Sequence, residues 1–236
     1  MFEELDYQET PLGPLVLRRR RSPAHRHAWV YEVTIDGEFL MSSAVKDSEL
    51  ALASLPLQRW SGDGDRELRI LVGGLGLGYT ALAALENPGV RSVLVVELLE
   101  PVMRWHRDGM VPASKQLTTD PRVELVHADF FELMKGPGDE PDELDAILLD
   151  IDHSPEALLH ARHATFYEAG ALQRLAGRLV PDGVFALWSA DAPSESFLAS
   201  LARVFGEVET RSVRFDVPHM HCEDENFIVL ASARKD

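Results

Sequence analysis

Hydrophobic and polar positions follow three rhythms along the chain. Up to about residue 60 the pattern is β-like: Pro14-Leu15-Val16-Leu17, Trp29 to Ile35, then Asp36-Gly37, then Glu38 to Met41. Asp-Gly between two strand-like runs predicts a hairpin. From Asp47 to about Trp60 an Ala/Leu pattern predicts a helix, and Gly62-Asp63-Gly64-Asp65 reads as a loop. Beyond residue 66, short continuous apolar runs alternate with helical patterns. The runs are Leu68–Val72, Ser92–Val96, Val123–Val126, Ala146–Leu149 and Val184–Trp188. Helices are expected over Thr80–Leu85, Val102–Met110, Thr165–Leu179 and Ser194–Phe205, and a terminal strand pair over Glu207–Val217 and Asn226–Ala231. Apolar strands separated by helices imply a mostly parallel sheet covered on both faces. The expected class is α/β: a doubly wound, Rossmann-like sheet with a small N-terminal β-hairpin appendage. The expected boundary divides a hairpin region and helix, 1–62, from a ligand-binding domain, 63–236.

The chain has 236 residues, enough for a substantial core. A single cysteine, Cys222, excludes a disulfide scaffold. No apolar run is long enough to cross a bilayer, and the first ten residues are acidic rather than basic and apolar, so a cytoplasmic protein is expected. With 39 Asp and Glu against 23 Lys and Arg the formal charge is −16, which argues against a nucleic-acid partner. The acid excess serves solubility and suits a cationic substrate. The basic cluster Arg18 to Arg21 reads as a solvated strand end.

Chemistry concentrates where the strands of the α/β part end. The first runs into Gly73-Gly74-Leu75-Gly76-Leu77-Gly78, a turn in which glycines let backbone approach a ligand at a helix N-terminus. The second ends in Glu97, about 20 residues on, where such folds place an acid against ribose hydroxyls. The third ends at Asp129 and the fourth at Asp150. Ligands of doubly wound sheets bind at this edge, so a nucleoside site is expected. Gly76, Gly78 and Ala81 fit a dinucleotide fingerprint, while Gly74, Gly76 and Gly78 fit a sulfonium-nucleoside loop equally well, with Asp129 placed to accept from an adenine amine.

The stretches LVGGLGLGYTALAAL, VLVVELLEPVMRW, DPRVELVHADFFELM, DAILLDIDHSP and FYEAGALQRLAGRLVPDGVFALW resemble the spermidine synthase superfamily, a branch of the class I S-adenosyl-L-methionine (SAM) methyltransferase fold. The resemblance covers roughly residues 30 to 205. It implies that residues 73–78 cradle the amino-acid end of the nucleoside, that Glu97 holds the ribose and Asp129 the adenine, and that Asp150 takes the proton or charge of an attacking amine. Phe166-Tyr167 matches an aromatic pair of the family. Three departures stand out. The family's glycine loop carries an aspartate where this chain has Gly76. The second acid of its catalytic loop falls one place early, at Asp152. Its N-terminal Tyr-His pair falls on Ala51-Leu52.

Gly76 therefore makes methyl transfer from SAM to a small, amine-bearing acceptor the leading expectation, since a loop of bare N–H groups suits the carboxylate of the intact donor. The alternative is aminopropyl transfer from decarboxylated SAM. Readings from other classes are a non-catalytic nucleoside-binding protein and a nicotinamide-dependent oxidoreductase, the latter leaving Asp129 and Asp150 unexplained. Asp150 is the expected catalytic group, assisted by Asp152 or His153; Gly74, Gly76, Gly78, Glu97 and Asp129 are the expected donor-binding residues. No metal is expected, because His25-x-His27 and His219-x-His221-Cys222 lack partners elsewhere. The acids beside Cys222 disfavour its thiolate. His160 and His163 are read as helix-surface residues, Trp188 as core or as a wall of the acceptor pocket, and His219 to Glu225 as overhanging that pocket. A homodimer is the oligomeric option, with no membrane partner.

Overall fold

The computed structural model describes residues 2–23, 27–61, 66–136, 143–217 and 222–232. Its first part is a four-stranded antiparallel sheet in the order β1-β2-β3-β4, from β1 (Phe2–Thr10), β2 (Gly13–Ser22), β3 (Ala28–Ile35) and β4 (Glu38–Ser42). The hairpin around Asp36-Gly37 forms as the dipeptide predicts. Strand β1, which the residue pattern does not reveal, pairs with β2 from Phe2↔Arg20 to Thr10↔Gly13. Its alternation is hidden because five of its nine residues are charged or amide-bearing, and only one edge of the strand has a partner.

Helix α1 (Asp47–Leu57) follows, then a parallel-rich unit: β5 (Leu68–Gly73), α2 (Tyr79–Leu85), β6 (Val90–Glu97), α3 (Glu100–Arg107), α4 (Ser114–Thr119), β7 (Val123–His127), α5 (Phe130–Lys135), β8 (Leu144–Leu149), α6 (Ala169–Ala176), β9 (Leu179–Ser189), α7 (Glu195–Ala202), β10 (Glu207–Val217) and β11 (Cys222–Ser232). Seven strands form one sheet in the order β10-β11-β9-β8-β5-β6-β7. Strands β5 to β9 are mutually parallel; β11 is antiparallel to β9 and to the edge strand β10. Every residue of β8 is buried, which is why it reads as an unbroken apolar run.

The sheet divides the core into two layers. On one face Leu52, Ala53 and Leu57 of α1 pack with Ala81 and Ala84 of α2, with Val102 and Trp105 of α3, and with Leu15, Leu17, Val33 and Ile35 of the small sheet. On the other, Phe130 and Phe131 of α5 meet Phe166, Leu172, Leu175, Phe197 and Phe205. Helix α1 thus belongs to the layer that covers the large sheet. The boundary expected at 62/63 lies outside the described residues.

The helix expected over 165–179 is shorter. Residues Ala161–Tyr167 form a 3₁₀ segment, Glu168 is extended, and only Ala169–Ala176 is α-helical. Side chains of the 3₁₀ segment are held by Asp152, as described below, and Gly170 weakens the first turn of α6.

Candidate active site

Strands β5, β6 and β8, with the start of α5, deliver their carboxyl ends to one crevice. Its lining includes Gly74, Gly76, Glu97, Asp129, Asp150 and Ile151, together with Leu12, Leu40 and Met41 from the N-terminal sheet. An apolar lining with a few convergent acids is that of a small-molecule site.

Gly74 lies at φ +95°, and a Cβ there would sit 2.1 Å from the carbonyl oxygen of Asp150. Only glycine lets β5 end this close to the end of β8. Gly78 is not among the residues that line the crevice: a Cβ there would meet Leu117, Ala113 and His106 within 3 Å, so close packing requires a glycine. His106 is fully buried, its Nε2 lies 2.9 Å from the carbonyl oxygen of Gly76, and burial pushes its pKa down. A neutral ring donating from Nε2 holds that carbonyl in place. Its buried Nδ1 has no partner among the described residues.

The glycine turn does not present bare N–H groups. Glu97 Oε2 accepts from the Leu75 N–H at 2.9 Å and Oε1 from the Leu99 N–H at 2.7 Å, and Gly76 also bonds this carboxylate. The Gly74 N–H donates to Val96 and the Gly78 N–H to Leu75. Burial raises the pKa of Glu97, while these N–H groups oppose the rise. Asp129 caps α5, accepting from the Phe131 and Glu132 N–H groups, and its Oδ2 pairs with Arg162 at 2.9 Å.

Asp150 receives a hydrogen bond from Thr80 Oγ1 at 2.9 Å, and burial pushes its pKa up to about 6. A second carboxylate stands nearby. Glu49, in the first turn of α1, is pushed up to about 7 by burial and by repulsion from Asp150. The residue pattern gives no sign of Glu49: an acid early in a helix is ordinary, and only packing reveals its neighbour. Thr80 and His106 were equally silent.

Asp152 is engaged elsewhere. Its Oδ1 accepts from the Leu159 N–H and contacts His163 Nδ1, both at 2.8 Å, and its Oδ2 accepts from Tyr167 Oη at 2.9 Å. Asp152 and His163 are each about 3% exposed, and the imidazole stacks on Phe131 at 3.9 Å. His163 is therefore buried rather than on a helix surface, because Asp152 gives its ring a partner. His160 is exposed, as expected. His153 is half-buried, its carbonyl accepts from Ala190, and it is not among the lining residues. Trp188 packs toward α1, and its buried Nε1 has no partner among the described residues.

The acids expected to overhang the pocket, Glu223 to Glu225, lie in β11 in register with Asp216 to Arg214, the first two exposed and Glu225 half-buried; none lines the crevice. His25, His219 and His221 lie outside the described residues. Among the described residues no cluster of three His, Cys, Asp or Glu could hold a metal. No helix among them is long and apolar enough to cross a membrane.

A doubly wound sheet with a crevice at the carboxyl ends of its strands and an N-terminal antiparallel sheet lining it defines the class. No family model matches the chain. Spermidine synthase from Thermotoga maritima superposes with a TM-score of 0.73 at 17% identity, covering 99% of this chain and 74% of that one. A spermidine synthase in complex with the transition state analogue AdoDATO gives 0.72 at 18%, over 99% and 73%. A probable spermidine synthase from Corynebacterium glutamicum gives 0.63 at 19%, over 98% and 79%. In sequence, polyamine aminopropyltransferases of Mycobacterium tuberculosis and Mycobacterium bovis are 29% identical over 114 residues, 48% of this chain. The chain spans about a fifth of the length of these curated relatives, 21%. The resemblance to the spermidine synthase superfamily thus holds, in fold along the chain and in sequence along half of it.

Methyl transfer from intact SAM, expected from Gly76, is corrected by these relatives, which are aminopropyltransferases and spermidine synthases. The physical flaw is visible in the loop. Its N–H groups at Gly74, Leu75, Gly76 and Gly78 already have acceptors, so they do not form the carboxylate cradle on which that expectation rested.

Proposed function

We propose that the protein transfers an aminopropyl group from decarboxylated SAM to an amine. The observation that carries this reading is Asp150, a half-buried carboxylate at the carboxyl end of β8, held by Thr80 and open to the crevice beside the glycine turn. The names of its curated relatives point the same way. A donor without a carboxylate also fits a loop whose N–H groups are already bonded, next to acids rather than cations.

Glu97 and Asp129 would hold the nucleoside, with Leu40, Met41, Leu99 and Val102 supplying apolar contact. The acceptor enters as an ammonium and passes a proton to Asp150. Its freed lone pair attacks the carbon next to sulfur, and the C–S electrons return to sulfur to give a neutral thioether. Alignment and proton removal are the protein's main tasks, because the sulfonium is already a good leaving group. Asp152 serves as a positioning residue that fixes the segment after Asp150 through His163, Tyr167 and Leu159.

The test is incubation with decarboxylated SAM and a panel of mono-, di- and triamines, with parallel reactions on intact SAM. Methylthioadenosine and an aminopropylated amine should appear only with the decarboxylated donor. Absence of the thioether with every amine overturns the reading.

A further inference from the structure

One histidine among the described residues lines the crevice, and the transfer does not use it. His163 Nδ1 lies 2.8 Å from Asp152 Oδ1. A carboxylate only accepts, so Nδ1 carries the proton of the ring, and in the neutral imidazole Nε2 keeps a lone pair. Asp152 is itself fixed, by the Leu159 N–H on Oδ1 and the Tyr167 hydroxyl on Oδ2. With its face against Phe131 and its Nδ1 on Asp152, the ring is held in one orientation. Among the described residues Nε2 has no partner, yet the fully enclosed unpaired atoms there are His106 Nδ1 and Trp188 Nε1. Nε2 is therefore open, on a ring that borders the crevice.

A second acceptor stands beside it. Arg162, next to His163 in the chain, pairs with Asp129 Oδ2 at 2.9 Å, and Phe131, which carries the His163 ring, gives its N–H to Asp129 Oδ1. Oδ1 is filled by that N–H and the Glu132 N–H, whereas Oδ2 retains one lone pair for the crevice. Leu98, Ile151 and Leu159 make the surroundings apolar. Two acceptors in apolar surroundings suit a group that gives two protons from one atom. We propose that His163 is the specificity-determining residue for the base of the donor nucleoside: its Nε2 accepts one proton of a purine 6-amino group, and Asp129 accepts the other. This rests on the reading of the crevice as the seat of an adenosyl donor. Asp152 acts through His163, by keeping the lone pair on the nitrogen that faces the base. A 6-oxo base would set an oxygen against both acceptors and leave both unpaired.

The experiment is calorimetric titration of 5′-methylthioadenosine and its 6-oxo counterpart, 5′-methylthioinosine, into wild type and His163→Phe at about pH 8, where an imidazole is neutral. Phenylalanine keeps a ring against Phe131 and offers no lone pair. The wild type should prefer the 6-amino nucleoside by about 10- to 100-fold. His163→Phe should bind it about tenfold more weakly and bind the 6-oxo nucleoside as the wild type does, whereas a loosened fold would weaken both alike. A second readout needs no variant. In wild type carrying ¹⁵N-labelled histidine, the signal of one unprotonated ring nitrogen should move upfield with 5′-methylthioadenosine and stay in place with 5′-methylthioinosine. Equal affinities in the wild type, an unchanged preference in His163→Phe, or no moving nitrogen signal overturns the proposal. The two readings fail separately. A preference that depends on His163, without use of decarboxylated SAM, removes the transfer and keeps the base reader. Turnover with the preference unchanged in His163→Phe does the reverse.

Discussion

Asp150 shows what one partly buried carboxylate does to both rate and stability. Asparagine keeps its size and can still accept from Thr80, but cannot take a proton. Asp150→Asn should therefore lower kcat by about 10²–10⁴, the usual worth of general-base help. Stability should move the other way. With its pKa raised to about 6, the folded protein binds this proton more tightly than the unfolded chain, so wild-type stability falls as pH rises from about 4 through 6. The variant has no such loss. Its melting temperature relative to wild type should be higher at pH 7.5 than at pH 4.5, by roughly 3–6 °C if one to two kcal/mol are relieved. Full activity in the variant would remove Asp150 from the mechanism, and a pH-independent gap would mean its carboxyl titrates normally. At this scale the sequence places Glu97, Asp129 and Asp150 at strand ends, and the structure brings all three to one crevice, which leaves their roles as proposals. The sequence was silent for Glu49, whose neighbour Asp150 lies about a hundred residues away. For Gly76 it misled, because the partners of a backbone N–H are not written in the side chain it carries.

Helix α3 shows how an element couples two parts of the molecule. His106 fixes the glycine turn, while Arg104 and the Trp105 indole N–H both bond Asp6 of β1, the indole at 2.6 Å. Those bonds outweigh burial and hold the Asp6 carboxyl below its ordinary pKa. Leu12, Leu40 and Met41 reach the crevice from the same small sheet. Asp6→Ala should loosen that wall without touching Asp150, so donor KM should rise several-fold, by about 1 kcal/mol in binding, with kcat little changed. A fall in kcat at constant KM would mean that the sheet acts on the chemistry instead. Most elements were legible from their rhythm, above all the buried parallel strands. Strand β1 was not, since its polar residues mask a two-residue period. The 165–179 segment was overread because Asp152 imposes a 3₁₀ turn from outside it.

Across the whole molecule the edge opposite the crevice is held by charge. Arg66 bonds Asp145 of β8 and Asp182 of β9 at 2.7 Å each, and its guanidinium lies over the Trp60 ring. Arg66→Ala would leave Asp145, about 4% exposed, with the Arg69 N–H as its remaining partner. The expected cost is about 3 kcal/mol, the lower end for a broken buried pair, or roughly 6–12 °C in melting temperature. The hydrogen bond from Arg66, aided by Trp60 and opposed by burial, holds Asp182 down to about 2. A depressed carboxylate contributes stability above its unfolded value and loses it as pH falls through the folded one. The gap between wild type and variant in thermal melts should therefore narrow between about pH 4 and 2. A gap that stays constant would show that Asp182 takes no part. The clamp of Asp6 on α3 has a consequence in time. It joins residues nearly a hundred positions apart, while the parallel strands beneath it and the hairpin above can each pair through shorter connections. Closing so long a loop is entropically slow, so a chain refolding from denaturant would regain its secondary structure first and its capacity to hold a ligand last.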